Sequence, residues 1–206
     1  MTSIFLRRTA VAGTALVAGL VLSACGSASD PSSMPGMGTS TSAPTSASAS
    51  FNDADVTLAQ QMIPHHQQAV TMAGLADTRA TDPEVKKLAA QIKAAQGPEI
   101  TTMTGWLSTW GKPAPAASMA GGMDMSNGSM PGMMSAADMT KLSSASGKNF
   151  DKQFLLMMIG HHAGAVAMAQ DEVAGGSNPD AIALAKQIIT SQQAEMDTMK
   201  KIDARL

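Results

Sequence analysis

The 206-residue chain has no tyrosine, two tryptophans and four phenylalanines, so aromatic rings cannot be the main filling of its core. It has one cysteine, Cys25, which excludes an intrachain disulfide. Long β-branched runs are missing while alanine is abundant, which disfavours sheet and favours helix. Neither sign of charge dominates: 14 Lys and Arg face 16 Asp and Glu, so bulk charge gives no basis for nucleic-acid binding. Histidine is scarce at four residues, and methionine is plentiful at 18. All four histidines fall in two versions of one phrase, MIPHHQQAV at 62–70 and MIGHHAGAV at 158–166.

The N-terminus has the layout of an export signal over residues 1–24: Arg7-Arg8, an apolar run from Ala10 to Val21, and small residues before Cys25. The apolar run is short for a membrane span. Leu22-Ser23-Ala24-Cys25 resembles a bacterial lipobox, in which the cysteine is lipidated and becomes the new N-terminus. The expectation is a protein exported by the Sec or Tat route and lipid-anchored through Cys25 to the outer face of the cell membrane. Residues 25–50 are rich in Ser, Thr, Ala and Pro and too poor in bulky apolar groups to offset their ordering entropy. They read as a stalk carrying Met34 and Met37 in Met34-Pro35-Gly36-Met37.

The histidine phrases belong to a longer duplication. A shift of 96 residues (158 − 62) pairs Asp55 with Asp151, both histidine pairs, Met72 with Met168 and Pro83 with Pro179. It also pairs Gln96 with Gln192, Glu99 with Glu195 and Met103 with Met199. About 18 of the 49 positions from 55 to 103 are identical across the shift, which marks an internal repeat. Each copy reads as a helical hairpin. Helices are expected over 53–76 and 82–110, with twins over 149–174 and 178–205. Asp82-Pro83 and Asn178-Pro179 supply a capping side chain before a first-turn proline, and Gly175-Gly176 suits a helix end. The hairpins, over 51–110 and within 135–206, would together form one domain, and four such helices can close around one core. The linker at 111–134 holds Met119, Met123, Met125, Met130, Met133 and Met134 among Gly, Ser and Asn, where a methionine is expected to bury little. A short helix is expected over 135–145.

On a helix, Met62, His65, His66, Ala69, Met72 and Ala73 share one broad face. Adjacent histidines diverge by about 100°, so one of each pair can face the bundle centre while its neighbour lies nearer the flank. Met158, His161, His162 and Met168 repeat the set. Pro64 and its twin Gly160 both weaken the helix just before the histidines, unless helix one begins at Pro64. The second helices offer Gln96, Glu99 and Met103, and Gln192, Glu195 and Met199, on a shared face. Their carboxylates could accept a histidine's distal N–H and fix its tautomer. Imidazole with thioether and few carboxylates suits copper, Cu(I) through sulfur and Cu(II) through imidazole. No zinc spacing and no Glu-x-x-His di-iron pattern is present. Methionine at helical spacing also fills ordinary cores, and paired histidines can be purely structural. The use of every histidine in both copies, with methionines outside any expected core, weighs towards metal.

Met62-Ile63-Pro64-His65-His66 with Ala69 and Met72-Ala73 resembles the signature of the bacterial family called domain of unknown function 305. So do Phe150-Asp151, Phe154-Leu155, Met158-Ile159, His161-His162 and Met168-Ala169, and the closing Gln96, Glu99-Ile100, Met103 and Trp106-Leu107. The resemblance covers residues 51–110 and 135–205. It implies an all-α, ferritin-like four-helix bundle that is exported or lipid-anchored and binds copper through Met and His. The sequence departs from the pattern at Gly160, where proline is usual, and at Gly97-Pro98, which predicts a kinked or split second helix. The leading expectation is a copper-binding protein, not an enzyme, that sequesters copper or hands it to a copper-handling partner protein. A ferritin-like metal oxidase and a metal-free helical lipoprotein binding a protein partner are the alternatives.

Overall fold

The structure, a computed structural model, describes residues 50–115 and 130–206. The expected leader, Cys25, Met34, Met37, Met119, Met123 and Met125 lie outside the described residues. The described residues form α1 (Asp53–Arg79), α2 (Pro83–Thr109), α3 (Ala136–Ser144), α4 (Gly147–Gly175) and α5 (Pro179–Arg205), with no strand among them.

Local chemistry explains the starts. Asn52 begins α1 with a capping box, its Oδ1 accepting from Ala54 N at 2.9 Å while Asp55 accepts from the Asn52 N–H at 2.6 Å. Asp82 and Asn178 cap α2 and α5 ahead of Pro83 and Pro179, and Ser135 with Asp138 boxes the start of α3. The start of α4 has no side-chain cap.

α1 starts at Asp53, as expected, and runs on through Pro64, so the alternative start at Pro64 does not hold. The expected split of α2 at Gly97-Pro98 is corrected: one helix runs from Pro83 to Thr109. A proline inside a helix costs about 3 kcal/mol. Ile63 and His65 beside Pro64, and Gln96 and Glu99 around Pro98, are buried, and that packing holds each helix through the missing hydrogen bond. Gly175-Gly176 does end α4, though without a left-handed turn: Gly176 has φ −69°. A Cβ there would lie 2.2 Å from Glu172 Oε1, so a side chain at 176 would displace the Glu172 carboxyl.

α1 packs along α2 and α4 along α5. The two hairpins then meet through α1 and α4, while α2 and α5 barely touch and α3 bridges α1 and α4. The core falls into two apolar clusters. One joins the first half of α1 (Leu58, Met62) to the ends of α2 (Met103, Leu107) and α4 (Met168) and the start of α5 (Ile188). The other joins the second half of α1 (Met72) to the starts of α2 (Leu88, Ile92) and α4 (Phe154, Met158) and the end of α5 (Met199). α1 therefore runs antiparallel to both α2 and α4. The 96-residue shift exchanges one cluster for the other, so the sequence repeat is an internal two-fold arrangement.

The repeated aspartates lock the copies together. Asp55 accepts from the backbone N–H groups of Ser177 and Asn178, entering α5, at 3.2 and 2.9 Å. Asp151 accepts from those of Thr81 and Asp82, entering α2, at 3.1 and 3.0 Å. Each copy thus neutralises helix-start donors of the other copy. At one end Arg205 adds a bidentate pair to Asp82 at 2.7 and 2.8 Å, and this guanidinium holds the Asp82 carboxyl below its ordinary value.

Candidate metal centre

The histidines form a polar layer between the apolar clusters, and all four are at most 1% exposed. His65 and His161, at equivalent positions of the two copies, face each other across the α1–α4 seam with ring centroids 3.7 Å apart. His65 and His66, though adjacent, have centroids 6.5 Å apart. The second histidine of each pair turns to the partner helix of its own hairpin. The His66 Nε2–H donates to Glu99 of α2 at 2.7 Å, and the His162 Nε2–H donates to Glu195 of α5 at 2.6 Å. The sequence leaves open which histidine faces the centre; the first of each pair lies on the seam and the second points to the flank.

A carboxylate accepting at Nε2 leaves Nδ1 as the bare lone pair of the neutral ring. Nδ1 has no hydrogen-bond partner in His65, His66, His161 or His162, and His161 Nε2 has none either. Burial, reinforced by the neighbouring His66, holds the His65 pKa down at about 3. Burial and then His65 hold His161 well below its ordinary range. The seam rings are therefore neutral at pH 7, the form that ligates metal. Unpartnered buried imidazole nitrogens are costly in a packed interior, so this layer is poorly explained by stability.

The nominated methionines divide between the clusters. Met62, Met103 and Met168 lie in one, and Met158, Met199 and Met72 in the other. Met62 and Met72, both on α1, are thus on opposite sides of the histidine layer. Gln96 and Gln192 are 3% exposed, and each has an Oε1 without a partner. Among the described residues no three His, Cys, Asp or Glu side chains gather as ligands for one ion.

A segment that sequence reasoning passed over closes the seam. Pro131 O accepts from His65 Nε2–H at 3.1 Å. Gly132, with φ 78°, lies so close to α4 that a Cβ would stand 2.7 Å from Gly160 O. A Cβ on Gly164 would reach within 2.0 Å of Pro131 O. On the α1 side, the Gln68 amide clasps the Met134 backbone through two hydrogen bonds, of 2.9 and 2.7 Å. Met130, Met133 and Met134 are half-buried, and Met134 packs on the core, which corrects the expectation that linker methionines bury little. The same shift carried a signal: Met34-Pro35-Gly36-Met37 stands 96 residues before Met130-Pro131-Gly132-Met133, and Gln68 stands 96 before Gly164.

Glu172 is also absent from the sequence-derived site. It is 1% exposed, and its carboxyl is hydrogen-bonded to the Asp55 carboxyl. Burial, then the hydrogen bond to Asp55 and its negative charge, push the Glu172 pKa up to about 8.

Two related helical hairpins, with paired histidines buried where they meet, define a class of all-helical bundle with a candidate soft-metal layer. The family described as Domain of unknown function (DUF305) matches residues 55–203, and the chain belongs to that family. It is similar to the crystal structure of a family member from Deinococcus radiodurans, at 32% identity and a TM-score of 0.67, over 75% of this chain and 98% of that one. It is also similar to a Streptomyces coelicolor member described as secreted, at 35% and 0.66, over 74% and 93%. CopM in its Cu(II)-bound form aligns at 37% and 0.64, over 73% and 96%. CopM has also been solved with Cu(I), and that form aligns at 35% and 0.60 over the same shares. No protein with a curated description matches the chain.

Proposed function

We propose that this chain is an exported copper-binding protein, anchored through a lipid on Cys25, that sequesters copper or hands it on outside the membrane. The observation that carries the reading is that all four buried histidines have an Nδ1 without a partner, with His65 and His161 face to face where the two copies meet. Similarity to CopM, which binds Cu(II) and Cu(I), supports copper as the metal. No described helix is long and apolar enough to cross a membrane.

In this reading His65 and His161 are shared ligands of the seam. Met62 and Met158 each lie one turn before a seam histidine on the same helix face. His66 and His162 are fixed by Glu99 and Glu195 so that Nδ1 stays free for metal. Met103 and Met199, one turn beyond those acids on α2 and α5, and Met72 and Met168, further along α1 and α4, supply the remaining thioethers. Gln96 and Gln192 add polar support on the acids' faces. The Met130–Met134 segment covers the seam, and Met34, Met37, Met119, Met123 and Met125 offer weaker capture sites. Copper is cargo here, and the protein acts as a binder without catalysing a reaction.

The test is Cu(I) uptake by the purified protein under reducing conditions. The protein should bind Cu(I), and changing all four histidines to alanine should remove the tightest binding while leaving weaker methionine-dependent binding. Absence of uptake by the unaltered protein would end this reading. Copper-dependent oxygen consumption would favour the oxidase alternative instead.

A further inference from the structure

The partners of the buried histidines differ in how firmly the fold holds them. Glu99 and Glu195, which accept from His66 and His162, stand within the long helices α2 and α5. Pro131, which accepts from His65, stands in irregular chain ahead of α3. That chain is a preformed turn. Met130 O accepts from the Met133 N–H at 3.2 Å, with Pro131 in the second place and Gly132, at φ 78°, in the third, the residues a type II turn calls for. Pro131 is exposed, while His65, bonded to its carbonyl, is fully buried. The turn is thus a single layer of chain between the seam and solvent.

The repeat shows that the seat of this strap is specially made. Gln68 and Gly164 are twin positions, and they serve the same strap from opposite sides. Gln68 bonds both the N–H and the carbonyl of Met134. Gly164 withholds a side chain that would collide with Pro131 O. Glycine inside a helix is destabilising relative to alanine. The helix does not require it, since Gln68 fills the same place in α1. What Gly164 secures is the close approach of the strap. Little else holds the strap down: the two Gln68 bonds, the bond from His65 and the packing of half-buried methionines. Water can satisfy every backbone group that opening would free. Any other way to the rings would part long helices that share both apolar clusters, so the strap is the element of lowest opening cost above them.

We propose that the Met130–Met134 strap is the gate of the histidine seam: local opening of this turn, with the bundle intact, admits a soft metal ion to His65 and His161 and releases it. The identity of the ion rests on the copper reading; the route does not. While shut, the Pro131 carbonyl keeps the His65 proton on Nε2 and leaves Nδ1 as the ligating nitrogen. Met130 and Met133, at the two corners of the turn, offer thioether sulfur to Cu(I) at the edge of the opening.

The test compares the unaltered full chain with Gly164→Ala and with Gln68→Ala, a milder change that removes only the clasp. The first arm needs no metal: histidines are acylated with diethyl pyrocarbonate at pH 7, and the rate at each ring is read by peptide mass spectrometry. His65 should react about tenfold faster in Gly164→Ala and more modestly faster in Gln68→Ala. His66 and His162, behind Glu99 and Glu195, should keep their rates. In the second arm, Cu(I)-loaded protein is mixed with excess bathocuproine disulfonate. Release should quicken in the same order, with the amount of copper bound unchanged. The proposal is overturned if His65 reacts equally in all three proteins, or if all four histidines quicken together in Gln68→Ala. It is equally overturned if copper leaves no faster from a variant whose His65 has become reactive. An unaltered chain that takes up no Cu(I) would end the copper reading, and the first arm would still decide whether the strap opens.

Discussion

The two ends of this bundle are built from the same repeat but packed in different ways. Around Met158 and Met199, Phe150 and Phe154 stack with centroids 5.7 Å apart and fill the space between helices. Around Met62, Met103 and Met168, smaller residues leave a cavity, and a buried acid faces it. A duplicated hairpin supplies the fold twice over. One end can then carry the packing while the other accommodates groups that cost stability, and the histidine layer lies between them.

Removing packing at the filled end should have the largest effect. Phe154→Ala should destabilise by about 3–5 kcal/mol, and its cavity-end counterpart Leu58→Ala by less, since Leu58 already borders a void. Denaturant midpoints would show the two effects equal if the ends were packed alike.

Glu172→Ala should act in the opposite direction and stabilise the metal-free protein. The native pKa of Glu172 is raised from 4.5 to about 8. Between these values the folded state keeps a proton that the unfolded chain releases, so stability falls as pH rises through this window. The advantage of Glu172→Ala should therefore be smallest below pH 4.5 and grow to a few kcal/mol, in order of magnitude, by pH 8. Parallel stability curves for the two proteins across that range would refute it. The seam histidines oppose this trend equally in both proteins. Their pKa values are depressed, so their contribution is complete above the ordinary value of 6.5 and is lost as pH falls towards about 3 for His65.

The seam cover offers a finer comparison between twin positions. Gly164→Ala places a methyl group against Pro131 O, so about 1–3 kcal/mol of strain should expel the segment. Proteolysis around residues 130–134 should then accelerate strongly. Gln68→Ala removes only the two hydrogen bonds to Met134 and should loosen the segment less, at about 1 kcal/mol. Equal protection in the two variants would mean that close approach to α4 is not what holds the cover.

Much of the fold could be read in advance because it rests on local and repetitive signals. Asp82-Pro83 and Asn178-Pro179 mark helix starts by their own chemistry, and the 96-residue shift reveals the hairpin repeat without any knowledge of contacts. The divergence of adjacent histidines follows from helical pitch. Which of them meets its twin depends on how α1 crosses α4, a packing choice that no short window contains. Pro98 misled for a related reason: its local preference is real, but packing on both sides of it overrides the break. The backbone approach between Gly164 and Pro131 joins residues 33 apart in sequence, and only the extended repeat hinted at it. Glu172 was silent because burial, not identity, makes a glutamate unusual.

The central claim is that neutral imidazole nitrogen and thioether sulfur from both copies hold copper where the hairpins meet. X-ray absorption at the copper edge, on Cu(I)-loaded protein, tests it most directly when the unaltered chain is compared with His65→Ala/His161→Ala. The account predicts nitrogen and sulfur scatterers together in the unaltered protein, with the imidazole contribution sharply reduced in the double variant. Sulfur-only coordination in the unaltered chain, or a spectrum that the double substitution does not change, would contradict it.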